Sequence, residues 1–181
     1  MAAENPLPSP LSAKGKLYAV LLGSLIIVLT TTVPYLTLLN LFLFAGIFLA
    51  GVVALHQTIM RFQVRLTFRE AFQLGSVAGF VGGVFSEIIT FLLMTFAHYR
   101  PGSESLALII NWALEMARKQ PELQQQVQAL VAAEKLALAP VSLTFGEILM
   151  NIAFSGLFYA PLAALGGAYA VRRLKRQAAK G

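Results

Sequence analysis

The stretch LYAVLLGSLIIVLTTTVPYLTLLNLFLFAGIFLAGVVALHQTIM, residues 17–60, holds no Asp, Glu, Lys or Arg, with Lys16 before it and Arg61 after it. A helix needs about 20 apolar residues to cross the hydrocarbon of a bilayer. An uninterrupted run of 44 therefore reads as two crossings with a turn between them. Thr30-Thr31-Thr32-Val33-Pro34 supplies the turn, because Pro lacks a helical donor and disfavours helix at the residue before it. This places one span at residues 17–33 and a second at 35–55. Lys14 and Lys16 ahead of an apolar run also outline a secretory signal. The run continues through Pro34 and Tyr35 without a small-x-small cleavage site, and is read as a retained anchor.

Working outward, residues 71–97 contain a single charge, Glu87, and residues 141–171 only Glu147. Runs this long have no polar face to turn toward water. The composition agrees: 57% of residues are hydrophobic and 12% charged, against roughly a quarter charged in soluble domains, and mean hydropathy is +0.73. The expected fold is all-α, a four-transmembrane-helix bundle forming one domain over residues 14–176. Residues 1–13, with Pro6, Pro8 and Pro10, are expected to be a disordered lead-in, and 177–181 a tail. The chain has no Cys and no Asp. Thiolate nucleophiles, disulfides, Cys-ligated metals, aspartyl dyads and Asp-based phosphoryl transfer are thereby excluded.

Positive charges set the orientation. With both termini on one side, that side carries Lys14, Lys16, Arg61, Arg65, Arg69, Arg172, Arg173, Lys175, Arg176 and Lys180, ten of the fourteen basic residues. Arg100, Arg118, Lys119 and Lys135 lie opposite, balanced by Glu104, Glu115, Glu122 and Glu134. Such a bias puts both termini in the cytoplasm. The first nine cations flank span ends at the depth of lipid headgroups, and the basic tail Arg172-Arg173-Leu174-Lys175-Arg176 carries no interleaved aromatics, so the net charge of +6 points to a bilayer and not to nucleic acid.

Between the third and fourth spans, residues 103–138 read as an extramembrane amphipathic helical hairpin. Leu106, Ile109, Ile110, Ala113, Met116 and Ala117 follow the helical period behind Ser103 as a cap. Pro121 opens the second helix, whose apolar face is Leu123, Val127, Leu130 and Val131. The two faces cover each other, the bilayer surface or a partner; Trp112 fills the hairpin or sits at the headgroups.

Within the spans, Gly75, Gly79 and Gly83 recur every four residues ahead of Glu87, a spacing that drifts by only about 40° per step and makes a ridge for close helix contact, a glycine zipper. On the fourth span Gly156, Ala160 and Ala164 offer the complementary row, and Glu147, Asn151, Ser155 and Tyr159 a polar one. Antiparallel packing brings Glu87 to the depth of Asn151 to Ser155. A carboxylate in hydrocarbon has to be protonated, hydrogen-bonded to a group such as Asn151, or in contact with a water-filled cavity. It then acts as interhelical glue, as a proton or ion carrier, or in ligand binding. Glu147 lies nearer the outer boundary and is expected to reach water. Pro161 is expected to kink the fourth span.

His56 and His98 are the only imidazoles and lie at opposite ends of spans, about 30 Å apart, too far to share a metal or haem. No Gly-rich phosphate loop with Lys occurs, and no Ser–His arrangement reaches mid-membrane. No catalytic, metal or cofactor residues are assigned. Residues Arg65-Leu66-Thr67-Phe68-Arg69-Glu70-Ala71-Phe72 leading into Gly75, the helix pair beginning Pro121-Glu122-Leu123, and the last span closing on Arg172-Arg173 resemble a bacterial domain-of-unknown-function family of small four-span membrane proteins. The likeness covers residues 15–176. It departs at Pro101, preceded by His98-Tyr99-Arg100. It implies a bacterial cytoplasmic membrane location and no known catalytic residues. The expectation is a non-enzymatic scaffold or accessory subunit, associated with itself or with a larger complex; the alternative is a small carrier using Glu87.

Overall fold

The computed structural model describes residues 11–138 and 144–178. They form seven helices: α1 (Ala13–Thr32), α2 (Leu38–Leu41), α3 (Ala45–Phe62), α4 (Phe68–Phe96), α5 (Ser103–Lys119), α6 (Gln124–Leu138) and α7 (Phe145–Ala178), with a 3-10 turn at Pro121–Leu123. There is no strand among the described residues. Helices α1, α3, α4 and α7 are long and apolar enough to cross a membrane. The Pro-bearing lead-in before Leu11, the expected start of the fourth span at 141 and the tail from 179 lie outside the described residues.

Helix α1 ends where the Pro34 argument puts it, with Val33 extended and its N–H bonded to the Leu29 carbonyl. The second long helix begins ten residues later than the sequence indicates, at Ala45 instead of Tyr35, and runs on to Phe62. Apolarity alone could not locate this boundary, because residues 35–44 are as greasy as the helix. One polar side chain sets it. Asn40 donates to the Thr30 carbonyl at the end of α1 (2.9 Å) and accepts from the Ile47 N–H in the first turn of α3 (3.2 Å). It thus bridges two helix ends, pairing the Thr30 carbonyl and giving the Ile47 N–H, which also bonds the Phe44 carbonyl, a second acceptor. The intervening chain turns through left-handed backbone at Tyr35, Leu43 and Phe44 and leaves Leu43 91% exposed.

Helices α4 and α7 start with the same device, a capping box. Thr67 accepts from the Glu70 N–H, while Glu70 accepts from the Thr67 N–H and hydroxyl. Thr144 and Glu147 repeat the three bonds at the head of α7. Glu147, read from the sequence as an intramembrane polar residue near the outer boundary, lies in the first turn of α7. It is exposed and fixes a helix start.

The four long helices pack in the cyclic order α1, α4, α7, α3. Helices α1 and α4 run parallel with a constant offset: Gly23 lies against Ala78, Ile27 against Gly82, and Thr31 bonds Ser86 across 55 positions (2.6 Å). Helices α4 and α7 run antiparallel, Gly75 meeting Ala163 and Ala164, Gly79 meeting Tyr159 and Ala160, and Gly83 meeting Ser155 and Gly156. Against α3, Gly51 abuts the Ala163 carbonyl and Gly166 the Phe48 carbonyl, so these helices too touch backbone to backbone. Two clusters fill the interior: Ala54, Leu55, Leu66, Ala71, Ala170 and Val171 at one end, and Ile27, Ile47, Ala50 and Ala163 near the middle.

Helices α5 and α6 contact each other across the 3-10 turn, but their shared interior is thin, with Ile110, Ala117 and Val127 buried. Trp112 is 63% exposed and does not fill the contact between them. Ser103 does not cap α5, since its hydroxyl donates to the Arg100 carbonyl and Gly102, left-handed, takes the N-cap position. What ties α5 down is the pairing of Ser105 with Thr37 and of Glu104 with Tyr99.

Candidate functional site

Several polar side chains of the long helices gather in one stratum, apart from Ser24 and Thr58, which bond the Ala78 and Ala54 carbonyls at other levels. Thr30 and Thr32 bond back to the Ile27 and Val28 carbonyls within α1, and Thr31 does so while also meeting Ser86 of α4. One residue on, about 100° around α4, Glu87 accepts from the Ser155 hydroxyl of α7 at 3.3 Å. Asn40 adds its carboxamide beside Thr30. Among the described residues no buried side-chain polar atom lacks a partner.

The partner of Glu87 is Ser155, and Asn151 is exposed without a hydrogen bond. Backbone register alone favours Asn151, because the contacts step back by four residues on α7 for each four forward on α4. Side chains, however, lean toward the N-terminus of their own helix. On antiparallel helices Glu87 leans back toward Gly83 and Ser155 leans toward Asn151, so the two groups meet between their Cα levels. The row Glu147, Asn151, Ser155 and Tyr159 is not one site. Winding about 40° per step turns it from solvent at Glu147, across an exposed flank at Asn151, to the α4 contact at Ser155 and a half-buried Tyr159 that packs against the middle cluster.

The small-residue rows define the contact that holds the stratum. A β-carbon added to Gly79 would stand 2.5 Å from the Tyr159 carbonyl oxygen and 2.7 Å from the Ala160 Cα. At Gly75 it would meet the Ala163 carbonyl oxygen and the Ala164 Cα at 2.7 Å, and at Gly83 the Gly156 Cα at 2.9 Å. A β-carbon added to Gly156 would stand 3.0 Å from the Phe80 ring. All six residues thus lie in the α4–α7 contact.

The helix directions bring Lys14 and Lys16, Arg61, Arg65 and Arg69, and Arg172, Arg173, Lys175 and Arg176 to one end of the molecule, where all nine are exposed. Arg61 stacks its guanidinium 4.8 Å from the Tyr18 ring centroid, covering an aromatic at that end. The opposite end is mixed in sign. There Glu104 accepts from Tyr99 (2.9 Å) and Ser103 (3.2 Å). Its own backbone N–H and these hydroxyls hold the Glu104 carboxyl below the usual carboxylate range. Burial, followed by the bond to Glu104, pushes the Tyr99 phenol up to about 12.

His56 lies within α3, not at its end, and His98 takes a left-handed conformation just past α4. Among the described residues no three His, Cys, Asp or Glu side chains come together as a metal site. No protein-family model, curated protein or solved structure matches this chain. Sequence reasoning missed the two capping boxes and Asn40. Thr-Phe-Arg-Glu and Thr-Phe-Gly-Glu ahead of apolar runs are a recognisable signal for the former; a lone Asn in an apolar stretch is the faint signal for the latter.

Proposed function

We propose that the chain is a multi-pass protein of a bacterial cytoplasmic membrane, with α1, α3, α4 and α7 as its spans and both termini in the cytoplasm. It acts as a non-enzymatic scaffold or accessory subunit. Supporting the orientation is the strongly basic end, nine cations against Glu70, opposite an end where the two signs balance. Helices α5 and α6 then lie on the outer face as an extramembrane hairpin. The resemblance to small four-span bacterial proteins belongs to the same reading.

The observation that carries the scaffold role is Asn151. Counting ~1.5 Å per residue from Ala71, the stratum of Glu87 lies about 24 Å into the layer, short of the far boundary of a core ~30 Å thick. Asn151 is at this depth on the outside of α7, among exposed Met150, Phe154 and Leu157. An unpartnered carboxamide facing acyl chains is costly, and Asn side chains in spans bond across helices. A carboxamide is both donor and acceptor, so a second copy related by a two-fold axis satisfies it. The glycine-lined interior, with the buried polar side-chain atoms of the described residues all partnered, fits a structural role. The mass of the protein extracted in mild detergent tests this: the native chain is expected as an assembly and Asn151→Leu as a monomer. Monomers in both cases would overturn the reading.

One observation favours a second reading. Glu87 is half-buried with the Ser155 hydroxyl as its hydrogen-bond partner, and an acid within a span marks a proton or ion pathway. On this reading the chain is a small proton- or ion-coupled carrier.

A further inference from the structure

We propose that the cleft between the α3–α4 connection and the last turns of α7 binds one anionic phospholipid. This inference rests on the membrane reading above. The cleft measures about 550 Å3 and combines two chemistries. Its floor is apolar: Leu66 and Val171, 4% and 3% exposed, belong to the packed interior, and Ile59 and Leu174 flank them. Its rim carries Arg65 from the connection and Lys175 from α7, both exposed. A free phosphate would use the rim and leave the floor wet. A phospholipid uses both, its phosphate between the cations and its glycerol and upper acyl carbons along Leu66 and Val171.

Basic side chains supply all the charge that lines the cleft and its neighbour. Lys175 also lines an adjoining cleft over Phe68 with Arg172 and Arg176, and no carboxylate lines either one. The acid closest in sequence, Glu70, lies outside both linings, its carboxylate bonded to the Thr67 N–H and hydroxyl and attracted to Lys16. Four cations therefore raise one positive potential over an apolar slot. The depth suits a headgroup as well. Arg65 lies six residues before Ala71, just outside the hydrocarbon, where lipid phosphates sit.

Native mass spectrometry of the delipidated full chain in mild detergent, titrated with phosphatidylglycerol or with phosphatidylcholine of the same acyl chains, is the test. One phosphatidylglycerol per chain is expected to be retained at concentrations where phosphatidylcholine is not. Arg65→Gln with Lys175→Gln is expected to weaken retention by roughly fivefold per cation removed. Lys14→Gln with Lys16→Gln makes the same change in net charge elsewhere at that end and is expected to leave retention intact. Ala178→Trp fills the cleft without changing charge and is expected to abolish retention. Equal retention of both lipids, equal losses in the two charge variants, full retention in Ala178→Trp, or displacement by millimolar inorganic phosphate would each overturn the site. Release of the chain from membranes by alkaline carbonate without detergent would instead overturn the membrane reading beneath it.

Discussion

Glu87 is the residue on which the two functional readings divide, and its hydrogen bond to Ser155 allows them to be separated. Interhelical hydrogen bonds in membranes average about 0.6 kcal/mol and reach about 1.7 kcal/mol. If Glu87 is glue, Glu87→Gln keeps a group that can pair with the Ser155 hydroxyl and should unfold in detergent at nearly the native midpoint. Glu87→Ala and Ser155→Ala should each lose about 1 kcal/mol, and their double variant little more, since both remove the same bond. If Glu87 is a carrier, vesicles containing the native chain show a pH-dependent proton flux that Glu87→Gln abolishes. At this scale the sequence was legible only in part. Glu87 stands out because an acid in an apolar run is rare, and its depth follows from helix rise. Glu147 looks the same by that criterion, but Thr144 three residues earlier makes it a cap, and hydropathy does not register a bond to the backbone. The choice of Ser155 over Asn151 depends on side-chain lean, which residue spacing does not express.

At the scale of elements, the contact of α4 with α7 was readable because its cause is periodic. Small residues every four positions leave a flat strip on a helix, and two such strips allow backbones to touch. The late start of α3 was not readable, because a single Asn40 makes it by bridging two helix ends, and nothing periodic surrounds that residue. The tight contact gives a sharp prediction. At Gly79 even a methyl group meets backbone and cannot be relieved by a rotamer change, so Gly79→Ala should force the helices apart and cost about 1–3 kcal/mol. Gly79→Leu should cost more and yield little folded protein. The contrast is Gly146 in the first turn of α7, where an added β-carbon has nothing within 4 Å. Gly146→Ala gains helix propensity and should stabilise by up to about 1 kcal/mol. Thermal or denaturant unfolding in one detergent compares the three variants directly. Similar midpoints for Gly79→Ala and Gly146→Ala would mean that α4 and α7 are not in backbone contact.

For the whole molecule, charge and register reinforce each other. The offset that sets Thr31 beside Ser86 also sets Lys14 level with Arg69 and Lys16 level with Ala71. The antiparallel steps from Gly75 and Ala164 carry α7 down to Arg172 and Arg173 at nearly the same height. Arg61 closes α3 there and stacks on Tyr18 of α1. Cations separated by more than a hundred residues in sequence thus share one plane across four helices, which charge counting alone implies only as a bias between loops. Because the chain has no Cys, single cysteines can test that plane without background. Cysteines replacing Lys14, Gln63 or Arg173 should react with a membrane-impermeant maleimide only after cells are opened. Cysteines replacing Ser103 or Gln125 should react in intact spheroplasts. Val77→Cys and Leu165→Cys, exposed on α4 and α7 between these planes, should resist the reagent from both sides, since the proposed topology surrounds them with acyl chains and not water. Labelling of Val77→Cys in intact spheroplasts would mean that α4 does not cross the layer. Labelling of Lys14→Cys and Ser103→Cys from the same side would mean that α1 and α4 do not carry the chain across together, a result that no repacking of individual side chains could accommodate.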